Sequence, residues 1–375
     1  MKVDWLIVGA GFTGSVLAER IASQLGQKVL IVEQRDHIGG NAYDYYDNHG
    51  VLVHEYGPHI FHTNARYVWD YLAQFTEWHH YHHRVLGVVD GQSVPIPFNL
   101  NSLDALFPRK YADKLAKQLL ERYGFNVKVP ILQILEQADS PDLKFLADYV
   151  YKNVFLHYTR KQWDLTPEEL SPSVTARVPI YLSRDDRYFQ DTYQGLPKHG
   201  YTALFRRMLH HPLIKVLINT PYHDIVDEIQ CQRMIYTGPI DEFFGYIHGE
   251  LPYRSLHFKF IHTEREQHQR VGTINYPNDY TFTRITEFKH LTGQWVYGST
   301  YVEEYPQAYQ RGVNIPYYPI PKEEYRALYK QYDVEMDKLK GRVLFAGRLA
   351  DYQYYNIDQA VARALSLFEK VIRVS

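Results

Sequence analysis

Short apolar runs alternate with a helical pattern at the start of the chain. The run from Trp5 to Val8 is apolar throughout and predicts a buried strand. Apolar residues then recur with helical spacing from Val16 to Leu25, and a second apolar run covers Val29 to Val32. The order strand, helix, strand predicts a βαβ unit, which is the building block of an α/β core with a parallel sheet.

A glycine-rich turn joins the first predicted strand to the first helix, with the sequence Gly9-Ala10-Gly11-Phe12-Thr13-Gly14. In such a turn Gly9 makes the tight bend, Gly11 lets a pyrophosphate approach the backbone, and Gly14 lets the helix pack on the sheet. Glu33 follows the second strand, where a carboxylate accepts hydrogen bonds from ribose hydroxyls. Together these features predict a dinucleotide site.

The segment after Glu33 favours FAD over NAD as the dinucleotide. A second glycine pair, Gly39-Gly40, follows at once and leads into Asn41. An NAD enzyme has no evident need for this pair, whereas the diphosphate and ribityl chain of FAD run over such a segment. The alternative is that Gly39-Gly40 is only a surface turn. A second strand–GxGxxG–helix unit for NAD(P)H is absent from the sequence, which argues against a two-domain reductase.

The remaining patterns predict a Rossmann-like FAD-binding α/β core with an inserted helical bundle and an inserted antiparallel β-sheet subdomain. Residues 84–89 predict a hairpin strand, 103–166 are helical, and 171–183 predict a mobile loop. Strands at 213–219, 233–237 and 343–346, and a helix at 357–371, are expected to return to the core. The predicted domains are 1–75, 200–238 and 320–375 for the FAD-binding core, 102–176 for the helices, and 76–101, 177–199 and 239–319 for the sheet.

Composition excludes several classes of protein. The 41 basic and 43 acidic residues give a formal charge of −2, so no global field recruits nucleic acid or acidic membranes. Cys231 is the one cysteine, and no apolar run approaches the ~20 residues that span a bilayer. The histidine pairs His79-His80 and His82-His83 lack the partner spacing of a metal site, so no metal is expected. These observations predict a soluble, cytoplasmic protein.

Arginines and tyrosines are the candidate binding residues. Arg177, Arg284 and Arg348 are candidate diphosphate clamps, because the guanidinium fork matches phosphate oxygens. The alternative for Arg177 and Arg284 is an ion pair or a solvated surface position. Aromatic residues are also concentrated in three short segments, where they are either core residues or contacts to a substrate. These segments hold Tyr158 and Trp163, then Tyr317 and Tyr318, then Tyr352, Tyr354 and Tyr355.

Several motifs along the whole chain carry a resemblance to a known family. They are Ile38-Gly39-Gly40-Asn41-Ala42, Gly57-Pro58-His59-Ile60-Phe61-His62-Thr63, Pro97-Phe98-Asn99, Tyr158-Thr159-Arg160-Lys161-Gln162-Trp163, Arg177-Val178-Pro179, Asn275-Tyr276-Pro277, Thr283-Arg284, Pro316-Tyr317-Tyr318-Pro319-Ile320 and Gly347-Arg348-Leu349. In these motifs the chain resembles the bacterial UDP-galactopyranose mutase family. The two tyrosine-containing runs are much more specific to this family than the glycine motif, which very many flavoproteins share.

The resemblance implies an isomerase that interconverts UDP-galactopyranose and UDP-galactofuranose with no net redox change and supplies galactofuranose for cell-surface glycans. It implies that only reduced FAD is active and that its N5 attacks the anomeric carbon as UDP leaves. The implied partner is the UDP-galactose nucleotide sugar, bound by a homodimer or a higher homo-oligomer, without nucleic acid and without membrane insertion.

The resemblance also implies a role for individual residues. Arg284, Arg177 and His59 would be catalytic, with the two arginines on the diphosphate, Arg177 as a lid, and His59 against the flavin near N5. The implied substrate-binding residues also include Phe155, Tyr158, Trp163, Tyr188, Tyr318, Tyr354, Asn356 and His83. The implied FAD-binding residues are Gly9, Gly11, Gly14, Glu33, Arg35, Gly40, Asn41, His59, Gly347, Arg348, Asn356 and Ile357.

Two positions depart from the family pattern, and two other functions stay open. Asn356 stands where some members carry Asp, and His83 stands where some carry Asn. The main rival function is an FAD-dependent oxidoreductase of the amine-oxidase type, which shares the N-terminal fingerprint. Arg177 and Arg284 argue against it, because an amine substrate gains nothing from cations. A non-catalytic protein that binds a nucleotide sugar and uses FAD structurally is the third possibility.

Overall fold

The computed structural model describes residues 1–171 and 179–374 and shows a mixed α/β architecture. The strands are β1 Lys2–Val8, β2 Val29–Val32, β3 Asp44–Tyr46, β4 Leu52–His54, β5 Phe61–Thr63, β6 Trp78–His80, β7 Val85–Val89, β8 Gln92–Ile96, β9 Lys128–Val129, β10 Ile180–Tyr181, β11 Tyr193–Pro197, β12 Ile214–Leu217, β13 Gln230–Tyr236, β14 Tyr253–Thr263, β15 Thr273–Asn275, β16 Arg284–Glu287, β17 Ser299–Ala308, β18 Tyr318–Pro319 and β19 Val343–Phe345. The α-helices are α1 Phe12–Leu25, α2 Arg66–Leu72, α3 Leu100–Leu106, α4 Arg109–Tyr123, α5 Ile131–Gln137, α6 Pro141–Val150, α7 His157–Trp163, α8 Tyr201–Met208, α9 Tyr222–Ile225, α10 Ile240–Phe243, α11 Phe288–Thr292, α12 Glu323–Lys338 and α13 Ile357–Leu367.

A five-stranded parallel sheet in the order β12-β2-β1-β13-β19 forms the core. Both faces of the sheet are buried, which explains the unbroken apolar runs of its strands. Ile7 and Ile31 pack on one face against α1, α8 and α13, while Leu6 and Leu30 pack on the other. The predicted Rossmann-like core is confirmed, and strands from the middle and the end of the chain join it as expected.

The turn between β1 and α1 has the geometry that its glycines predict. Gly9 has φ +103°, a conformation that L-residues with a side chain rarely adopt. A Cβ at Gly14 would lie 2.0 Å from the Gly9 carbonyl oxygen, so helix and strand are too close for any side chain there. The first turn of α1 is thereby held directly at the carboxyl end of β1, where its free N–H groups point outward.

The second large sheet has seven strands in the order β18-β14-β17-β16-β15-β7-β8. Its strands are antiparallel except that β15 pairs parallel with β7. The hairpin predicted at residues 84–89 is confirmed as β7 and β8. A smaller antiparallel sheet, β5-β11-β6, packs against the core through Phe61, Trp78 and Tyr193.

The helical segment packs against β7, β8 and β10 as one hydrophobic cluster. Helicity over 103–166 is confirmed, but the segment is divided into short helices where Pro108, Pro130 and Pro141 begin new ones. A π-helical turn, Tyr151–Leu156, connects α6 to α7. Such turns shift the register of side chains and frequently occur at functional sites.

The predicted mobile loop at 171–183 and the predicted domain bounds have different outcomes. Residues 172–178 lie outside the described part of the chain. Residues 179–183 differ from a loop, because Ile180 and Tyr181 pair with β9 and Leu182 is fully buried. The domain bounds stay a prediction. The sheet order is compatible with them, since each strand of the two large sheets comes from the predicted segments of its own domain.

Candidate active site

A first cavity, which we call the glycine-loop cavity, opens at the carboxyl ends of β1 and β2. Every residue that the sequence predicts for FAD lies on its lining. These residues are Gly9, Gly11, Gly14, Glu33, Arg35, Gly40, Asn41, His59, Gly347, Arg348, Asn356 and Ile357. The N-termini of α1 and α13 both face this cavity, so their partial positive charges lie where a diphosphate would bind.

Close backbone approach explains Gly40 but not Gly11, the glycine that faces it across this cavity. A Cβ at Gly40 would lie 3.0 Å from the Cα of Gly11, so the two glycine segments nearly touch. Gly11 itself has φ −77°, and a Cβ there would come no nearer than 3.9 Å to the protein. The protein alone therefore does not require glycine at position 11, which leaves a bound group as the reason for it.

The polar groups of the glycine-loop cavity are arranged to receive a ligand. Glu33 Oε2 accepts the Ala10 N–H at 2.9 Å, and Oε1 accepts the Arg35 N–H at 3.0 Å, which fixes the carboxylate. The Arg35 guanidinium stacks on Tyr56 and donates from Nη2 to Asn41 Oδ1 at 2.9 Å. Its Nη1 is buried without a partner within residues 1–171 and 179–374. A ligand oxygen would satisfy this donor.

A second cavity, the aromatic cleft, lies between the helices and the seven-stranded sheet and has a volume of about 490 Å³. Eight of the predicted substrate residues line it: His83, Tyr158, Trp163, Tyr188, Arg284, Tyr318, Tyr354 and Asn356. Phe155 does not line the cleft and packs instead in the helical core. Arg177 lies outside the described residues, so its place on the diphosphate stays a prediction.

The two cavities meet at one place, because His59, Arg348, Asn356 and Ile357 line both of them. His59 is half-buried, and its Nδ1 donates to the Gly57 carbonyl at 2.8 Å, which leaves a lone pair on Nε2. Burial lowers the pKa of His59 to about 3, so its ring is neutral at physiological pH. A group that spans both cavities would therefore contact a neutral imidazole at the junction.

Arg284 projects from β16 into the aromatic cleft and forms an ion pair with Glu304. Its Nε and Nη2 atoms lie 2.9 and 2.8 Å from Glu304 Oε2. Glu304 is 1% exposed, and its second oxygen, Oε1, is buried without a partner in the described part of the chain. The pKa of Arg284 is raised well above its ordinary value: burial opposes the rise, and the charge of Glu304 is the largest effect in its favour. Arg284 is thus a permanent, oriented cation on the cleft wall.

Tyrosine side chains surround Arg284 and Arg348 in the cleft. Tyr318 and Tyr354 pack edge to face at 5.0 Å, and Trp163 lies within 6 Å of both rings. The Arg348 guanidinium lies 5.8 Å from the Tyr318 ring. Burial raises the pKa of Tyr318, which keeps its hydroxyl protonated as a donor. Other tyrosines of the same sequence clusters are core residues, since Tyr317 and Tyr352 are buried away from the cleft.

Several cleft residues were not identified from the sequence. They are Gln162, Thr273 and Asn275, together with His62, Lys128, Phe189 and Asp191, and also Glu304 behind Arg284. Glu304 faces Arg284 in the antiparallel register of β16 and β17. An acid and a base on adjacent strands can be recognised as a pair only when the pairing of the strands is known. The sequence alone therefore did not reveal this ion pair.

Lys161 joins the two walls of the aromatic cleft. Its ammonium donates to the carbonyl oxygens of Tyr276, Tyr280 and Phe282, the last two at 3.0 Å. Burial lowers the pKa of Lys161 to about 8. Because Lys161 lies on α7 beside Trp163 and the carbonyls lie between β15 and β16, this contact fixes the distance from the aromatic wall to Arg284.

Two buried histidines, His54 and His83, and the half-buried His59 predict a loss of stability in acid. Burial lowers the pKa of His54 to about 4 and those of His59 and His83 to about 3. Below pH ~6.5 the unfolded chain binds protons that the folded chain does not, so the free energy of unfolding falls by up to about 1.4 kcal/mol per pH unit per group. Urea unfolding between pH 7 and pH 5 checks this slope. His83→Gln should flatten it, and equal slopes in both proteins would contradict the assignment.

Metal binding and membrane crossing are two further properties on which the described residues bear. No group of three or more His, Cys, Asp or Glu side chains within residues 1–171 and 179–374 has the spacing of a metal site. In the same part of the chain, no helix combines the length and apolarity that crossing a bilayer requires.

Comparison with known sequences places the chain in one family. A profile described as UDP-galactopyranose mutase matches residues 153–354, and one described as an NAD(P)-binding Rossmann-like domain matches residues 7–75. The UDP-galactopyranose mutase of Mycoplasma genitalium is 36% identical over 98% of this chain and 95% of its own length. That of Mycoplasma pneumoniae is 34% identical over 99% and 97%. A dTDP-fucopyranose mutase of Escherichia coli is 32% identical over 98% of each chain.

Comparison with solved structures supports the fold. A reduced UDP-galactopyranose mutase superposes with a TM-score of 0.69 at 16% identity, covering 100% of this chain and 96% of the other. A putrescine oxidase superposes with a TM-score of 0.59 at 12% identity, covering 100% and 99%. At such low sequence identities, both matches show only that the fold is shared. With nearly full-length relatives above 30% identity, however, the chain belongs to the UDP-galactopyranose mutase family.

Proposed function

We propose that this chain interconverts UDP-galactopyranose and UDP-galactofuranose, with FAD in the glycine-loop cavity and the nucleotide sugar in the aromatic cleft. The observation that carries the proposal is the junction of the two cavities at His59. A dinucleotide that begins at Gly9 and Glu33 reaches the cleft only at its far end, which in FAD is the isoalloxazine ring. The cofactor's reactive end and a clamped nucleotide sugar would meet there.

The residues of the glycine-loop cavity fit FAD. The near contact of Gly11 and Gly40 leaves bare backbone for a diphosphate, and the buried Arg35 Nη1 needs an acceptor. Glu33 would bind the adenosine ribose, and Arg348, His59 and Asn356 would border the far end at the junction. When bound and reduced, FAD supplies an electron-rich N5 that acts as the nucleophile toward the anomeric carbon.

The side chains of the aromatic cleft would hold the substrate and stabilise the departing diphosphate. Arg284 offers a fixed positive charge whose orientation Glu304 sets, and such preorganised charge stabilises the transition state more than the ground state. Tyr318, Tyr354 and Tyr188, which all line the cleft, would donate phenolic hydrogen bonds to phosphate oxygens. In this proposal Tyr158 and Phe155 hold the uracil and Trp163 borders the galactose. Because Phe155 lies in the helical core, its role requires the π-helical turn to bring it forward.

The other proposed site residues serve orientation and closure. His59 is held neutral, so it can lie against a flavin ring without adding a charge near the reacting carbon. His83 would face the sugar, and Asn356 would face both sugar and flavin at the start of α13. Arg177 would act as the second diphosphate clamp. In these roles the side chains bind the substrate, orient it and exclude water. They favour the reaction by holding the sugar and the cofactor in contact.

An amine-oxidase activity fits the cleft poorly. Arg284, Arg348 and Lys128 line it, against the carboxylates of Asp191 and of Glu304 behind Arg284. The net charge around the cleft is therefore positive and disfavours a cationic amine. An anionic diphosphate is attracted by the same charges. We therefore place the amine oxidases as relatives in fold, with a different substrate chemistry.

We further propose that the protein acts in the cytoplasm as a homodimer or a higher homo-oligomer. The exposed segment after α11 carries Trp295, which is 97% exposed, and Tyr297, which is 77% exposed. Apolar surface of this kind is a candidate for coverage by a second copy. Light scattering on the purified protein tests the proposal, and a monomeric mass would contradict it.

Product analysis tests the proposed activity. The FAD-loaded protein is reduced with dithionite and incubated with UDP-galactofuranose, and the nucleotide sugars are separated by chromatography. We expect UDP-galactopyranose from the reduced protein and no conversion by the oxidised one. Parallel incubations with dTDP-fucofuranose and with putrescine define the substrate class. Formation of hydrogen peroxide from the amine, or conversion of neither nucleotide sugar, would refute the proposal.

A further inference from the structure

A histidine–aspartate pair lines the aromatic cleft and has no part in the binding roles described above. His62 on β5 donates from Nδ1 to Asp191 Oδ2 at 2.9 Å. This hydrogen bond holds the pKa of Asp191 below its usual range, so the carboxylate is ionised. Both side chains face the cleft. The pair therefore has the arrangement in which a carboxylate orients an imidazole through its Nδ1 atom.

The pair is held rigidly by its neighbours. The Phe189 ring stacks on the His62 ring with centroids 3.6 Å apart and planes 11° from parallel. The Asn64 amide donates to the other Asp191 oxygen at 2.8 Å, and the Gln194 amide donates to the Asp191 carbonyl at the same distance. Within residues 1–171 and 179–374, no protein group hydrogen-bonds to His62 Nε2. The free edge of the ring is thus available to a molecule in the cleft.

The position of His62 is at the end of the cleft that adjoins the glycine-loop cavity. His62 comes three residues after His59, which lines both cavities, and both residues line the cleft. On the other face of β5, the Thr63 hydroxyl donates to Asp358 Oδ2 at 3.0 Å, which ties this strand to α13. Asp358 lies in the first turn of α13, directly after Asn356 and Ile357, which line both cavities. His83, also on the cleft, lies near His62. In the proposed function, this end of the cleft holds the sugar.

The proposed reaction requires a proton to change oxygen atoms. In the pyranose the ring oxygen is O5 and O4 carries a proton, whereas in the furanose O4 is in the ring and O5 carries the proton. Conversion therefore breaks the C1–O5 bond, with its electron pair going to O5, and forms a C1–O4 bond from a lone pair of O4. A proton leaves O4 and a proton reaches O5, without net oxidation or reduction.

We propose that His62, oriented by Asp191, carries this proton between O4 and O5 of the sugar. As imidazolium it gives its Nε2 proton to O5 while the C1–O5 bond breaks. The neutral ring then takes the proton of O4 as O4 bonds to C1, so His62 ends in its starting state. Asp191 acts as the positioning residue, and the step runs in reverse in the opposite direction. The inference rests on the proposed function and deepens it by naming the proton-transfer group.

Steady-state kinetics of His62→Gln and Asp191→Asn test the inference, with UDP-galactofuranose as substrate. General acid–base catalysis contributes about 10²-fold or more, so we expect kcat of His62→Gln to fall about a hundredfold while UDP affinity changes little. The matched control is His80→Gln, because His80 lies on β6 in the same small sheet and does not line the cleft. Wild-type turnover measured alongside separates failure of the inference from failure of the proposed activity.

Chemical rescue provides a readout that a structural role would not change. Imidazole and its methyl and halogen derivatives are added to FAD-loaded His62→Ala, and we expect the rate to return in proportion to the basicity of the added imidazole. A rate for His62→Gln within about threefold of His80→Gln would overturn the inference, as would rescue that ignores basicity or does not occur. If His62→Ala does not retain FAD, Asp191→Asn decides: kcat equal to that of wild type would overturn the inference.

Discussion

Replacing Arg284 with alanine is expected to lower kcat about a thousandfold while FAD remains bound. The Arg284 side chain is 27% exposed, lies on the lining of the aromatic cleft where Glu304 orients it, and is absent from the lining of the glycine-loop cavity. Loss of one preorganised group that stabilises developing charge in a dry site costs about 10²–10³ in kcat, and here the lost group is a full charge on the leaving diphosphate. Single-turnover kinetics of the reduced protein, with flavin content read from its absorbance, measure both parts of the prediction.

The variant Arg284→Ala also leaves Glu304 as a buried, unpaired carboxylate, which is expected to cost about 3–5 kcal/mol of stability. The double variant Arg284→Ala/Glu304→Gln removes that charge, so it should recover stability without recovering turnover. This comparison separates a folding defect from a catalytic one. Retention by Arg284→Ala of more than about a tenth of the wild-type kcat would remove Arg284 from the leaving-group site.

Alanine at Gly11 should weaken FAD binding severely without unfolding the protein. The backbone at Gly11 has an ordinary extended conformation, and a Cβ there meets only the Cα of Gly40, at 3.9 Å. The added methyl group would instead occupy the space where the diphosphate approaches the backbone. We expect a colourless protein with a native circular-dichroism spectrum, and an FAD dissociation constant raised at least about a hundredfold, since steric exclusion of a diphosphate removes several charge-assisted contacts.

Alanine at Gly14 is the matched control for this prediction, because its effect should fall on folding. A Cβ at Gly14 would lie 2.0 Å from the Gly9 carbonyl oxygen and 3.2 Å from Ile7 Cγ2, so α1 must move away from β1. Overpacking of this kind typically costs about 1–3 kcal/mol or more. Gly11→Ala protein that binds FAD with wild-type affinity would show that the glycine loop does not carry the diphosphate.

The core and the glycine-loop cavity were predictable because their signals are contiguous in sequence. The strand, the glycine turn, the helix and Glu33 follow each other within residues 5–33, and each has one physical task. The return of β13 and β19 to the sheet followed from their apolar runs. Local sequence patterns were therefore sufficient to predict the parts of the structure in which residues close together in sequence act together.

The rest of the site depends on strand pairing that local patterns do not encode. Glu304 supports Arg284 only because β16 and β17 are adjacent, and Asp191 reaches His62 because β11 pairs with β5. The tyrosine clusters gave a mixed result for the same reason. Adjacent residues such as Tyr317 and Tyr318 point in opposite directions, so one is buried in the core and the other faces the cleft. Residues 179–183 read as a loop because two residues are too short for a strand pattern.

Positional isotope exchange tests most directly whether the bond between the sugar and UDP breaks at the cavity junction. UDP-galactopyranose is prepared with ¹⁸O between C1 and the β-phosphorus and incubated with the FAD-loaded, reduced protein. If the anomeric carbon leaves the diphosphate and returns, the label should spread to the non-bridging β-phosphate positions, and it should stay in place with oxidised protein or with Arg284→Ala. A label that remains in the bridge while UDP-galactofuranose accumulates would contradict cleavage at C1 and the roles assigned to both cavities.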